Sequence, residues 1–247
     1  MARRASTRHR ENRRAPEPGG RAFYGRRRGR RLRPGLKARL TELLPRLAIA
    51  LPQQGDFLDP AGLFDPPPEG IGLEIGFGAG EHLAWQAERH REIGFLGAEC
   101  FVNGVAGLLR EVRERRLDNI RIYQGDGRDL LDALPEGALD CVYILFPDPW
   151  HKVRHHKRRL IQDETLERLA EVMKDGVELR LATDDMGYLR WMLERLVRNP
   201  KFQWLARGCR DWRERPGDWP PTRYEVKALG QGRRPVYLRF RRRPRRA

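Results

Sequence analysis

A chain of 247 residues, 39% hydrophobic and 34% charged, is long enough for one domain with a full core plus extensions. Its formal net charge of +16 is unevenly placed: residues 1–35 hold thirteen arginines against Glu11 and Glu17, residues 241–247 hold five more, and residues 36–240 sum to zero. Three scattered cysteines, Cys100, Cys141 and Cys209, speak against a disulfide framework and for a reducing cytoplasm, and no apolar run approaches the length of a membrane span.

Residues 1–20 are polar, end in a Pro/Gly cluster and offer no apolar face for a presequence helix, so they are expected to be disordered. Residues 21–35 mix Phe23 and Tyr24 with arginines, as an arm that orders on RNA would. The chain thus divides into a basic arm (1–35), a neutral domain (36–240) and a basic tail (241–247), the two ends suited to phosphate backbones. Apolar spacing predicts a helix over 36–47, followed by a Pro/Gly/Asp-rich connection over 52–69.

Beyond residue 70 the pattern alternates. Strand 71–75 leads through a glycine loop to helix 81–91, strand 93–98 to helix 101–116, and strand 119–124 to a short helix at 128–134. Strand 139–146 is followed, after a turn, by helix 160–174, then strand 177–183 and helix 185–198, with weaker strands near 202–205 and 235–240. Strands alternating with helices predict an α/β fold, a doubly wound, mostly parallel, Rossmann-like sheet of seven strands.

The loop Gly76-Phe77-Gly78-Ala79-Gly80 joins the first strand to its helix, and its third glycine comes one place too early for the dinucleotide fingerprint. Glu74 before it and Glu81 after it suit a pyrophosphate poorly. They fit a ligand with an ammonium, a sulfonium and no phosphate, and S-adenosylmethionine is such a ligand. Glu99, 23 residues after Gly76 at the end of the second strand, is placed for the ribose hydroxyls. Asp126, after the third strand, is placed for the adenine amino group.

The most informative run begins where the fourth strand stops: Pro147-Asp148-Pro149-Trp150, then Lys152, Arg154, His155, Lys157, Arg158 and Arg159. Two prolines hold one acid rigid at a strand end, and Pro149 keeps Asp148 out of the helical region. A dense cationic ledge follows, suited to a polyanion. Trp150 reads as packing. His151 and His155 stand at i, i+4, but no further ligand stands at metal spacing, so no metal is expected.

This run resembles the signature of the tRNA (guanine-N7-)-methyltransferases, and the likeness extends from about Arg21 to Phe240. It implies the class I methyltransferase fold, S-adenosylmethionine bound by the residues matching Glu74, Glu99 and Asp126, and catalysis by Asp148. It further implies tRNA binding by Lys152, by Asp184 after the fifth strand, and by the stretch Thr222, Arg223, Tyr224 and Glu225. The expected product is 7-methylguanosine in the variable loop, at position 46 of standard tRNA numbering. Two other readings of the residues remain, an amino-nitrogen methyltransferase and a non-catalytic RNA-binding protein. The sequence carries no signal that separates a monomer from a homodimer.

Overall fold

Glycines and prolines that interrupt the apolar runs also set the element boundaries. The computed structural model describes Gly25, Arg27, residues 29–53 and residues 55–245. The expected disorder of 1–20 and the aromatics Phe23 and Tyr24 lie outside them. Two helices, α1 (Pro34–Glu42) and α2 (Leu44–Leu47), stand where one was expected over 36–47. Pro45 lacks the N–H that a continuous helix would need, and instead sits in the first turn of α2, where none is needed.

From Gly70 the alternation runs β1 (Gly70–Ile75), α3 (Glu81–Arg89), β2 (Ile93–Ala98), α4 (Val102–Arg115), β3 (Ile120–Tyr123), α5 (Gly127–Ala133) and β4 (Leu139–Leu145). A 3-10 turn (Val153–Arg158) precedes α6 (Asp163–Val172), β5 (Met173–Thr183), α7 (Met186–Arg198) and β6 (Phe202–Trp204). Two helices absent from the sequence reading, α8 (Arg210–Arg213) and α9 (Arg223–Gly230), lead to β7 (Val236–Arg242). Among the described residues these seven strands form one sheet in the order β3-β2-β1-β4-β5-β7-β6. The first five are parallel, and β7 runs antiparallel to both β5 and β6. This is the expected doubly wound sheet.

Period-two alternation places a core on each side of it. Val142 and Ile144 of β4 join Leu73, Leu96, Leu131, Leu166 and Tyr188 on one face, packing α5, α6 and α7. Tyr143 and Leu145 join Phe95, Ile120, Leu83 and Leu108 on the other, packing α3 and α4.

Two boundaries move. The helix expected over 160–174 ends at Val172, because Met173 already pairs with Leu139 of β4 across a register shift. The C-terminal arginines are not a free tail as far as residue 245. Arg241 and Arg242 finish β7, and Arg242 is buried with Nε donating to the Ala170 carbonyl at 2.8 Å. Arg245 pairs with Asp175 and Glu136. The apolar alternation of Val236, Leu238 and Phe240 carries the strand onward, and the acids of neighbouring elements draw in the arginines beyond.

Candidate active site

Strand order reverses at β1, which has β2 on one side and β4 on the other. Open α/β sheets form their ligand crevice there, beyond the carboxyl ends of the strands. A cavity of about 380 Å³ lies at that place, within the range of small-molecule sites. Each of four strand ends contributes to its wall: Gly76 after β1, Glu99 after β2, Asp126 after β3 and Asp148 after β4.

Gly76 is exposed, with φ +77°, and a Cβ there would meet nothing within 4 Å. Its bare face is space a ligand can take. Gly78 gives its N–H to Glu99 Oε2 at 2.8 Å, and the Phe101 N–H reaches Glu99 Oε1 at 2.9 Å. Both carboxylate oxygens are thus fixed at the cavity wall, each with a lone pair left to accept from a ligand. Gly104 of α4 lies so near this loop that a Cβ would run into the Gly78 carbonyl. A glycine in the first turn of a helix was the sequence signal for that contact, and it went unread.

Other expected cofactor residues stand one layer back. Gly78 and Gly80 are buried behind the loop they shape. Glu74 is 2% exposed and lies beneath it, with Oε2 2.7 Å from His82 Nδ1. The His82 ring is edge-on to Tyr143 and Trp219. Glu74 therefore braces the loop from below and is absent from the wall. Asp126 does line the cavity, but its carboxylate caps α5 by accepting from the Arg128 N–H at 3.0 Å and pairs with the Arg128 guanidinium at 2.5 Å. Sequence reasoning missed Arg128, since nothing in a two-residue spacing after a strand end marks a side chain that folds back.

Asp148 is held by strain and by a brace. Phe146 and Trp150 on either side of the turn have φ of +51° and +45°, a left-handed conformation that costs a non-glycine residue on the order of 1–2 kcal/mol. Arg159 holds the turn from within: its Nε donates to the Pro149 carbonyl at 2.8 Å, and its guanidinium lies over Tyr188 and Trp191 at 5.0 and 4.8 Å. At 4% exposure Arg159 is turned inward, away from any RNA, and leaves the expected cationic ledge. Lys152, Arg154 and Lys157 are exposed on that ledge. Arg158 lies on the cavity wall with its guanidinium 5.1 Å from the Trp150 ring, and His155 meets that ring edge-on. Trp150 packs between them and also faces the cavity.

The electrostatics of the cleft follow from its acids. Burial raises the Glu99 carboxyl above its ordinary range, and the facing charge of Asp148 adds to the rise. Lost hydration between the walls raises the Asp148 carboxyl likewise, although the residue as a whole is exposed at the cavity mouth. A cation entering between them relieves both. Among the described residues no group of three or more His, Cys, Asp or Glu is arranged to hold a metal ion, and His151 instead lies 3.2 Å from Asp185. No helix of the described residues is long and apolar enough to cross a membrane.

The stretch 222–225 turns out to begin α9, and it divides. Thr222 caps the helix and Glu225 is buried against Arg215 at 3.0 Å, so these two are framework. Arg223 reaches back to Glu81 after the glycine loop. Tyr224 stacks on Phe146 at 6.3 Å and lines the cavity. Asp184, expected to meet the substrate, is paired with Arg233 at 2.5 Å.

A family model described as "Putative methyltransferase" matches residues 69–238. The tRNA (guanine-N(7)-)-methyltransferase of Rhodospirillum rubrum is 51% identical over 227 residues, 91% of this chain and 89% of that protein. The protein of the same name from Paramagnetospirillum magneticum is 46% identical over 224 residues, 90% of this chain and 93% of that one. Among solved structures, a 16S rRNA methyltransferase, KamB, has a TM-score of 0.54 at 15% identity, over 76% of this chain and 95% of that one. A 16S rRNA (adenine(1408)-N(1))-methyltransferase from Catenulisporales acidiphilia has a TM-score of 0.50 at 18% identity, over 80% of this chain and 99% of that one. Likeness at that identity bears on the fold alone, which is the methyltransferase sheet derived above. Relatives half identical along nine-tenths of both chains go further, and by them this chain belongs to the tRNA (guanine-N(7)-)-methyltransferase family.

Proposed function

We propose that this chain transfers a methyl group from S-adenosylmethionine to N7 of a guanine in tRNA, at position 46 of the variable loop, and does so in the cytoplasm. One observation carries the reading: a cleft at the switch point of the sheet has two raised carboxyls, Glu99 and Asp148, on facing walls. Two such carboxyls favour a ligand with a localised positive charge between them. The residues present fit S-adenosylmethionine. Glu99 keeps lone pairs for two ribose hydroxyls, and the bare face of Gly76 leaves room for the body of the ligand. When bound, that cofactor supplies an electrophilic methyl group on a positively charged sulfur.

Guanine N7 has a lone pair and no proton, so the chain needs no general base. What it provides is orientation and a counter-charge. Asp148 stands on the rigid turn after β4, accepts from the Watson–Crick edge of the guanine, and stabilises the positive charge that the purine gains. Arg158, Lys152, Arg154 and Lys157 hold the RNA backbone beside it. Asp126 serves the adenine, with Arg128 keeping its carboxylate in place. The test is to incubate the protein with unmodified tRNA and labelled cofactor and to identify the product. 7-Methylguanosine in the variable loop is expected. Label in an exocyclic amine would favour the amino-nitrogen reading, and no label at all the binding-protein reading.

A further inference from the structure

The described part of the arm is fastened through its backbone to the start of α4 by hydrogen bonds. The Arg27 carbonyl accepts the Val102 N–H at 3.0 Å. Asn103 uses both ends of its amide: Oδ1 accepts the Gly29 N–H at 2.8 Å, and Nδ2 donates to the Arg30 carbonyl at 2.8 Å. The fit is close, since a Cβ on Gly29 would come within 2.8 Å of the Phe101 ring and 2.9 Å of Asn103 Oδ1. These contacts all involve residues 101–103. The same residues follow directly on Glu99, whose carboxylate is held by the Phe101 N–H. Gly25, a little upstream, forms part of the cavity wall.

One short stretch, from Glu99 into the first turn of α4, therefore has the acid of the cleft on one side and the arm on the other. Asn103 bonds to the arm's backbone, so this clasp does not use the arginine side chains. Arg27, Arg30, Arg31 and Arg33 are exposed there. An exposed row of guanidinium groups is a surface for phosphate.

We propose that Asn103 is a positioning residue that joins the arginine-bearing strap of Gly25, Arg27 and residues 29–33 to the Glu99 loop, so that RNA on the strap and cofactor in the cleft strengthen each other's binding. The proposal rests on the methyltransferase reading. Whichever ligand binds first holds Phe101 and Asn103 in the place the other needs, and the coupling is the same in both directions.

Calorimetry on the full chain tests it, with S-adenosylhomocysteine titrated in the absence and presence of saturating unmodified tRNA. The wild type is expected to bind this ligand about fivefold or more tightly when tRNA is present. Asn103→Ala and Gly29→Ala bring that ratio to about one. Asn103→Asp keeps the acceptor for Gly29 and loses the donor to Arg30, and is expected to retain an intermediate ratio. Thermal melting of each variant alongside separates lost coupling from lost folding. Gly29→Ala, outside the core, tests the same clasp should Asn103→Ala prove unstable. A wild-type ratio of one, or an undiminished ratio in folded variants, overturns the inference. A wild type that binds S-adenosylhomocysteine neither with RNA nor without it removes instead the reading beneath it.

Discussion

Glu99 and Asp148 face each other across the cleft, and both hold their protons to higher pH than free carboxyls do. A raised acid gives the native state more bound protons than the unfolded chain, so stability falls as pH rises through the window above the ordinary value, 4.5 for a glutamate. Cofactor binding runs the other way, because the acceptor must be ionised. Affinity for S-adenosylhomocysteine is expected to climb as pH rises through the raised Glu99 value, and Glu99→Gln to flatten that climb. At neutral pH the same variant should bind at least tenfold more weakly, since a charge-assisted hydrogen bond contributes about 1.5–3 kcal/mol. Titration calorimetry across pH reads both, and an unchanged affinity would remove Glu99 from the ribose site. Asp148→Asn is expected to lower the single-turnover rate on the order of a hundredfold while tRNA affinity stays within about twofold. Its role lies in the transition state, so a rate within a few-fold of wild type would sink it. These acids were legible in the sequence because each closes an apolar run. Glu74 was legible as a position but not as a contact, because β1 is buried on both faces and only the fold shows His82 beneath the loop.

At the scale of elements, the basic run after β4 shows what a linear reading loses. Arg158 and Arg159 are adjacent in sequence, yet one lies at the cavity and the other in the interior, because the 3-10 turn ends between them. Arg159→Leu is therefore expected to lower turnover and melting temperature by freeing the Pro149 carbonyl, and to leave the salt dependence of tRNA binding unchanged. Lys157→Ala is expected to flatten that salt dependence and leave the melting temperature unchanged. A flattened salt slope for Arg159→Leu would restore it to the RNA surface. The long elements were readable because period-two and period-3.6 patterns persist over six or more residues. α8, α9 and the 3-10 turn were not, since four to eight residues of mixed polarity carry no period. For the same reason Thr222 to Glu225 looked like one binding stretch, whereas helix geometry alternates framework with surface.

Charge governs the molecule as a whole, and its two basic ends behave differently. A chain starting at Leu36 is expected to lose tRNA affinity, and its slope of log K against log salt should drop by about 0.7–0.9 for each phosphate contact removed. Its product should remain 7-methylguanosine. A changed site of methylation would show that the arm selects the base. A chain ending at Phe240 is expected instead to lose stability, because it removes strand pairing by Arg241 and Arg242 and the bonds of Arg245 to Asp175. Losing two or more such bonds at about 1–3 kcal/mol each should lower the melting temperature by roughly 5 °C or more. An unchanged midpoint would return these residues to a tail. The place of β7 has one further outcome, for synthesis on the ribosome. The strand is made after β6 and two helices, yet it inserts between β5 and β6. The five parallel strands can pair in the order in which they emerge, but the edge of β5 stays open until β7 has left the ribosome. A nascent chain paused before Val236 therefore presents one open edge of β5, from Glu178 to Thr183, to its neighbours. Slower synthesis or release of the last segment should raise aggregation and chaperone capture, while pauses before Met173, when β5 has not yet been made, should not.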